Sequence, residues 1–533
     1  MRRLLNKTKV PIGDAVISTP DTCIGAETCE ELFTPDSPHN HMSLNGVEII
    51  TNSSGSHHNL RKLDTRVNLI LEATRKNGGV YLYSNQQGMD GDRLYYDGCA
   101  MIMMNGKVLA QGSQFSLTDV EIIVATVDIE EVRSYRFTPS RGHQAVQAPA
   151  YERIETGFSL SDDSVYQDVN LCPTPARQVK YHVPEEEIAL GPACWMWDFL
   201  RRSKTSGYLV PLSGGIDSCA TAVLVYSMCR EVINAIKQNN VQVIQDVQRI
   251  TKQGPGWKPQ SAEDLCNRIF HTVFMGMKTQ SSLQTRRRAK ELAECIGAYH
   301  TDVNIDDVFE AQKALISSAT GFEPKFKVFG GSVTENLTLQ NIQARSRMVT
   351  AYEFAQILPT VRGSGGALLV NPIGGISKND LKRFIAWAKV HFELPILEDF
   401  LNATPTAELE PITEDYVQSD EADMGFTYAE LSIFGILRKE QKLGPYGAFS
   451  KLVHDWKDKY TPREIADKVK RFYHYYAINR HKMTTMTPAY HAETYSPDDN
   501  RYDLRPFCYP PFFESWSYKK IDAEVELMEN PLE

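Results

Sequence analysis

Gly207-Tyr-Leu-Val-Pro-Leu-Ser-Gly-Gly-Ile-Asp-Ser-Cys219 decides how the longer part of this chain folds. Residues 208–212 read as a short buried strand. Residues 217–235 read as a helix, because Ala220, Val223, Leu224 and Met228 recur at helical spacing. Between them, Ser213-Gly214-Gly215-Ile216-Asp217-Ser218 forms a tight turn into a helix N-terminus. The first backbone N–H groups of a helix have no internal partner and point at whatever sits there, so the stretch is an anion cradle. The two glycines allow positive φ and let phosphate oxygens come close to the backbone. Ser213 and Ser218 add hydroxyl donors. No Lys follows the glycines, so the chemistry of a GK[ST] phosphate loop is absent. The alternative is an ordinary Ser/Gly turn before a helix.

With a strand before it and a helix after it, SGGIDS resembles the pyrophosphate loop of the ATP pyrophosphatases, which cleave ATP between the α and β phosphates and adenylate a substrate. The resemblance implies that Pro211, Leu212, Ser213, Gly214, Gly215, Ile216, Asp217 and Ser218 bind ATP. It also implies that Ser213 takes part in catalysis and that Asp217 is a magnesium ligand. Downstream, strands are expected at 271–277, 298–303 and 367–370. Helices are expected at 283–296, closed by Gly297, at 307–318 and at 335–356. Residues 239–262 look like an insertion with turns at Gly254-Pro255-Gly256. This alternation gives an α/β fold with a doubly wound parallel sheet, of the ATP pyrophosphatase, adenine nucleotide alpha hydrolase-like type. Its ligand belongs at the carboxyl ends of the strands, where SGGIDS sits.

A chain of 533 residues suits two or three domains. Hydrophobic content of 42% and charged content of 23% are ordinary for a globular protein. A net charge of −10 argues against a nucleic-acid backbone as partner. Ten cysteines without a paired framework suit a reducing compartment. The sequence offers no long uncharged apolar run for a membrane helix, and Met1-Arg-Arg-Leu-Leu-Asn-Lys7 lacks the apolar core of a signal peptide. The expectation is a cytoplasmic protein that binds neither nucleic acid nor membrane.

Residues 1–140 read as a layered domain. Residues 13–19 and the stretch from Thr22 look like strands, and Cys29 falls at a sharp turn into a helix start, where helix N–H groups favour a thiolate. Residues 59–77 form a helix with Leu60, Leu63, Val67, Ile70 and Thr74 on one face, stopped by Gly78-Gly79. Strands follow at 80–84, at 100–104 and 107–111 around the hairpin signal Asn105-Gly106, and at 121–127. Cys29-Glu-Glu-Leu-Phe33, Ile49-Ile-Thr-Asn-Ser-Ser-Gly-Ser-His-His58 and Gly91-Asp-Arg-Leu-Tyr-Tyr-Asp-Gly98 resemble the amidase domain of the eukaryotic glutamine-dependent NAD synthetases. That domain has the nitrilase-type αββα sandwich fold, expected here in part. By resemblance, Cys29 attacks the glutamine amide, forms a thioester and releases ammonia, with Ser56 and Arg61 near the glutamine. The family also uses a Glu base and an oxyanion-binding Lys, N-terminal to the Cys. Only 28 residues precede Cys29 and none carries that motif, which implies a chain shortened at its start. A zinc reading of Cys23, Cys29, His39 and His41 matches no structural zinc spacing.

Residues 141–185 are expected to be a linker, since 137–183 are rich in Pro, Ser, Asp, Gln and Ala without a sustained period. A helix from about Pro192 leads into the domain spanning 186–533. Its later segments resemble NAD synthetase. Asn341-Ile-Gln-Ala-Arg-Ser-Arg-Met348 resembles the helix that contacts deamido-NAD, with Arg345 toward the substrate; the alternative is a solvated helix face. Asn371-Pro-Ile-Gly-Gly-Ile-Ser-Lys378 resembles the segment whose Lys378 meets ATP phosphates, and Pro405-Thr-Ala-Glu-Leu409 places Thr406 near ATP. Arg480-His-Lys482 resembles the pair, His481 and Lys482, that closes on deamido-NAD. In the family a metal-binding segment follows the strand ending at Val370; here Val370 runs directly into Asn371, which implies an internal omission.

The resemblance implies a carbon–nitrogen ligase. ATP and Mg2+ support amidation of deamido-NAD through an adenylate, with ammonia from glutamine, giving NAD, AMP and pyrophosphate. It also implies a homo-oligomer. The alternative is an inactive or ammonia-only form that binds nucleotide or co-assembles with full-length subunits. A tRNA-modifying ATP pyrophosphatase is disfavoured by the acidic net charge.

Overall fold

The structure is a computed structural model that describes residues 8, 12–161, 171–403, 408–411, 421, 424–479, 489–494 and 516–530. The chain divides into two compact units, residues 1–88 with 95–183, and residues 89–94 with 184–533.

The first unit is built on one mixed sheet. Its strands are Ala15–Ser18 (β1), Cys23–Thr28 (β2), Ile49–Ser54 (β3) and Val80–Asn85 (β4). Gln87–Met89 (β5) and Tyr95–Asp97 (β6) form a separate ribbon, and Met101–Met104 (β7), Lys107–Gln111 (β8) and Glu152–Glu155 (β9) complete the set. The seven-stranded order is β8-β7-β4-β3-β2-β1-β9. β2, β3 and β4 run parallel, and β7 and β8 are the expected hairpin, with φ of 50° at Asn105 and 80° at Gly106. Strand alternation sends Ile50, Asn52 and Ser54 of β3 to one buried face, with Tyr81 and Tyr83 of β4. Pro38–Leu44 (α1) and Lys62–Asn77 (α2) pack on that core through Met42, Leu63, Val67 and Ile70. Ile129–Arg136 (α3) brings Val132 to a second cluster with Met104 and Leu109, which half-buried Ile49, Leu82 and Ile102 join.

Two expectations fail here. Residues 121–127 are not a strand. Their backbone pairs instead with the later segment, Thr126 N–H to Thr174 Oγ1 at 2.8 Å and Thr174 N–H to Thr126 O at 2.9 Å, which leaves Ile122 and Val124 exposed. The linker is also not featureless. Pro139–Gln147 (α4) starts on a proline, which suits a first helical turn, and β9 pairs parallel with β1 at the sheet edge.

In the second unit, Pro184–Ser203 (α5) begins eight residues earlier than expected and holds Pro192 inside it. Glu185, Glu186 and Glu187 in its first turn complement the helix dipole. Tyr208–Pro211 (β10) leads into Ile216–Lys237 (α6). The stretch read as an insertion, 239–262, carries Val241–Thr251 (α7), and Ala262–Ile269 (α8) follows it; α7 buries Val243, Val247 and Ile250 on one face. Phe270–Gly276 (β11), Leu283–Cys295 (α9), Tyr299–Asn304 (β12), Asp306–Thr320 (α10), Val333–Val361 (α11) and Lys378–His391 (α12) follow. β10, β11 and β12 are parallel neighbours in that order.

The fourth strand, expected at 367–370, is reduced to a single parallel bridge between Leu368 and Tyr208. Leu209 N–H donates to Leu368 O at 2.9 Å and Leu368 N–H to Gly207 O at 2.8 Å. At Asn371 the chain already bridges Ala489, so the extended run ends before a ladder develops. Leu368 lies on the side of β10 opposite β11, so chain order reverses at β10 and opens a crevice at its carboxyl end.

Against expectation, α6 is long and apolar enough to cross a membrane by length and composition, and most of its apolar stretch is buried inside the protein. Tyr428–Gly435 (α13), Pro445–Asp455 (α14), Pro462–Asn479 (α15) and Trp516–Glu529 (α16) share a separate core around Phe434, Phe449, Val469 and Ile521.

Candidate functional site

The Ser213–Ser218 turn sits at the carboxyl end of β10, as its position in the sequence requires. Leu212 N–H donates to Val273 O at 2.9 Å, which ties the entry of the turn to β11. Gly214 has φ 79°, and a Cβ there would lie 2.2 Å from Thr285 O, so no other residue fits. Gly215 is the N-cap of α6 and uses no side chain for capping. The hydroxyls brace the turn from within: Ser213 N–H donates to Ser218 Oγ at 3.2 Å, Ser213 Oγ and Ser218 Oγ lie 3.0 Å apart, and Ser218 Oγ donates to Gly215 O at 3.0 Å. Pro211 and Ser213 are exposed, whereas Leu212 and Ile216 are buried beneath them.

The turn opens into a cavity of about 290 Å³. Three cations line it: Lys378, Arg288 and Arg347. Lys378 stands at the start of α12, capped by Ser377, and its ammonium pairs with the Asp217 carboxylate and lies 5.1 Å from the Tyr428 ring centre. Arg288 on α9 donates to Gly214 O at 3.1 Å. Arg347 on α11 donates to Met275 O at 3.1 Å, and burial lowers its pKa. Glu408 joins the lining; its carboxylate accepts from Thr285 Oγ1 at 3.2 Å, and burial raises its pKa.

Sequence reasoning named Lys378 and the turn, and missed Arg288, Arg347 and Glu408. The motif on α11 carries two arginines, and the one lining this cavity is Arg347; Arg345 is exposed on another side of the helix. The run Arg286-Arg287-Arg288 after β11 was an available signal. Thr406, His481 and Lys482 lie outside the described residues. Among the described residues, no group of three or more His, Cys, Asp or Glu side chains is placed to hold a metal.

In the first unit, Cys29 occupies the junction between β2 and a 3-10 helix, Cys29–Phe33. Its φ of 42° is unusual for a residue with a side chain, and marks a bent turn held by its surroundings. Cys29 N–H donates to Asn52 Oδ1 at 3.1 Å, and Ser54 Oγ donates to Cys29 Sγ at 3.5 Å. The Cys29 thiol is half-buried. Beneath it, Glu27 accepts from His39 Nδ1 at 3.0 Å and from the Tyr81 hydroxyl. Burial disfavours that carboxylate, but the His39 and Tyr81 bonds outweigh it and hold its pKa low. Asn52 Nδ2 in turn donates to Tyr81 Oη at 2.9 Å. The zinc reading fails because His39 is bound to Glu27 and His41 to Asp36, at 2.8 Å. Ser56 is buried on the loop after β3, its N–H donating to Asn85 Oδ1 at 2.8 Å, and Arg61 precedes α2 with φ 65°.

Family models match both units. Residues 2–137 match Carbon-nitrogen hydrolase and residues 193–482 match NAD synthase. The glutamine-dependent NAD(+) synthetase of Saccharomyces cerevisiae is 58% identical over 557 residues, covering 99% of this chain and 78% of the yeast protein. The Homo sapiens glutamine-dependent NAD(+) synthetase is 53% identical over 552 residues, covering 99% of this chain and 77% of that protein. A crystal structure of a glutamine-dependent NAD(+) synthetase from Cytophaga hutchinsonii superposes with TM-score 0.68 at 21% identity, covering 98% of this chain and 76% of that one, and carries the same fold. With such relatives along nearly all its length, and family models matching both units, the chain belongs to the glutamine-dependent NAD(+) synthetase family.

Proposed function

We propose that this chain makes NAD(+) by ATP-dependent amidation of deamido-NAD, with ammonia drawn from glutamine. The observation that carries the reading is the Ser213–Ser218 cradle opening on a cavity with Lys378, Arg288 and Arg347, in a chain of this family. The nicotinate carboxylate of deamido-NAD attacks the α-phosphate of ATP, forming a P–O bond as pyrophosphate leaves. Ammonia then attacks the adenylated carboxyl carbon, and AMP departs as the amide forms. Backbone N–H groups of the turn and the hydroxyl of Ser213 bind the leaving pyrophosphate, and Ser218, whose hydroxyl donates to Gly215 O, holds the turn in shape. Lys378 offsets the charge that grows on it; such fixed charges act mainly by positioning and neutralisation. Arg288 holds the loop through Gly214 and adds positive charge beside it.

Mg2+ is the expected companion of the triphosphate. Asp217 fits the part: its side chain is 54% exposed at the cradle, and a hard cation is commonly held by one or two carboxylates plus phosphate oxygens. Mg2+ bound there would neutralise phosphate charge. Arg345, Thr406, His481 and Lys482 are assigned to nucleotide and deamido-NAD binding by resemblance alone. In the first unit, Cys29 is the nucleophile for glutamine, with Ser56 and Arg61 near the amino acid. A homo-oligomer is supported by exposed Met348, Val349, Tyr352 and Val361 along α11. Nine free cysteines among the described residues favour a reducing, cytoplasmic setting.

The test is NAD(+) formation by the purified chain with glutamine and with ammonium, in separate reactions. Product from both supports the proposal. Product from ammonium alone retires the glutaminase half, and product from neither overturns the whole.

A further inference from the structure

The Cys29 thiol has a hydroxyl partner to which the reaction above assigns no task. Asn52 and Ser54 are two residues apart on β3, and both turn to the buried face beneath the Cys29 junction. They grip the cysteine at two atoms. Asn52 holds its backbone N–H at 3.1 Å and so fixes the bent turn. Ser54 meets its sulfur at 3.5 Å. Behind Ser54, the Tyr83 hydroxyl donates to Ser54 Oγ at 3.1 Å. Tyr83 and Ser54 are 2% and 6% exposed, so bulk water does not compete for the bond between them. A serine hydroxyl has one proton to give. With Tyr83 filling a lone pair on Ser54 Oγ, that proton is turned toward sulfur.

We propose that Ser54 is a further catalytic residue of the glutaminase, its hydroxyl stabilising the Cys29 thiolate, with Tyr83 as the positioning residue that orients it. The inference rests on the reading of Cys29 as the thioester-forming nucleophile. The thiolate is the reactive form, and a hydrogen bond to an ionised acceptor is stronger than one to its neutral form, so the Ser54 donor favours thiolate over thiol. During acylation the sulfur–carbon bond forms, the amide carbon–nitrogen bond breaks, and the proton lost by the thiol ends on the departing ammonia. Ser54 keeps its own proton throughout. When water cleaves the thioester, the sulfur returns to the same donor. Asn52, clamped through Tyr81 to buried Glu27, keeps the sulfur within reach of Ser54 while this happens.

The experiment is alkylation of the 533-residue chain by iodoacetamide, with the rate at Cys29 followed by mass spectrometry of its peptide. Exposed Cys172 and Cys295 serve as internal references, and the thermal midpoint reports folding. Ser54→Ala is expected to slow Cys29 about tenfold and Tyr83→Phe about threefold, the scale of a lost hydrogen bond to a charged group, with the reference cysteines unchanged. Ser54→Thr keeps the hydroxyl and is expected to react within about twofold of the wild type. A Ser54→Ala chain whose Cys29 reacts at the wild-type rate overturns the proposal, as does a Ser54→Thr no faster than Ser54→Ala. Failure of the underlying reading is seen separately: glutamine-driven NAD(+) formation that survives Cys29→Ala removes the nucleophile assignment, whatever the alkylation rates.

Discussion

At the scale of single residues, the Ser213–Ser218 turn depends on a backbone position that no side chain can occupy. Gly214 faces the carbonyl of Thr285, and an added methyl would lie 2.2 Å from that oxygen at a φ of 79°. Neither partner is a flexible side chain that could move aside. Gly214→Ala should therefore cost about 2 kcal/mol or more of stability and abolish saturable ATP binding; thermal unfolding and isothermal titration with ATP measure the two effects. A second residue gives a pH signature. His271 at the start of β11 is buried, and burial, with Arg362 beside it, pulls its pKa from 6.5 down to about 4. In the unfolded chain the imidazole titrates near its ordinary value, so between about pH 6.5 and 4 the unfolded state binds more protons than the folded one. The stability held by the neutral ring is complete above about pH 6.5 and is lost as pH falls toward 4, by about 3 kcal/mol in all. His271→Asn should flatten the fall of the melting temperature over that window, and melts recorded at a series of pH values would reveal it.

At the scale of elements, what could be read from sequence was whatever wrote its burial into a helical period or a short continuous run. β10, α6, β11 and α9 are buried on predictable positions, and all four stand close to where the spacing put them. β9 is exposed at all four residues, so no apolar face announced it; its place at the sheet edge comes from backbone pairing with β1 alone. The opposite error occurred at 121–127, where β-forming residues cluster but the backbone of Thr126 finds its partner in Thr174. The site divides in the same way. The turn and Lys378 lie in local motifs, whereas Arg288 and Arg347 reach the cavity from helices that tertiary packing orients. α11 is the element on which Arg347 depends, and its start is fixed by a reciprocal cap: Ser332 Oγ accepts from Glu335 N–H at 3.3 Å, and Glu335 accepts from Ser332 N–H at 2.7 Å. Ser332→Ala should lower stability by about 1 kcal/mol, read as an earlier urea midpoint with an unchanged slope.

At the scale of the whole molecule, two units divide two chemistries. Each has its own apolar core, one around Val67, Ile70 and Tyr81, the other around Val273, Phe309 and Leu339. Separate cores mean that an isosteric change in one need not unfold the other. On the proposed function, the thiol of Cys29 serves the release of ammonia and the turn at Ser213–Ser218 serves the activation of the acid. Ammonium supplied from solution should therefore replace everything the first unit contributes. Cys29→Ala removes one sulfur at a half-buried turn and leaves the Asn52 bond to the backbone N–H available. Its expected phenotype is a loss of glutamine-driven NAD(+) formation by about a thousandfold, the scale of a deleted covalent nucleophile, with the ammonium-driven rate kept within about twofold. Lys378→Ala should instead depress both rates together, since either nitrogen source meets the same adenylated intermediate. Assaying both variants with both nitrogen sources yields four rates, and only a division of labour between the units produces the selective loss in one variant and the common loss in the other.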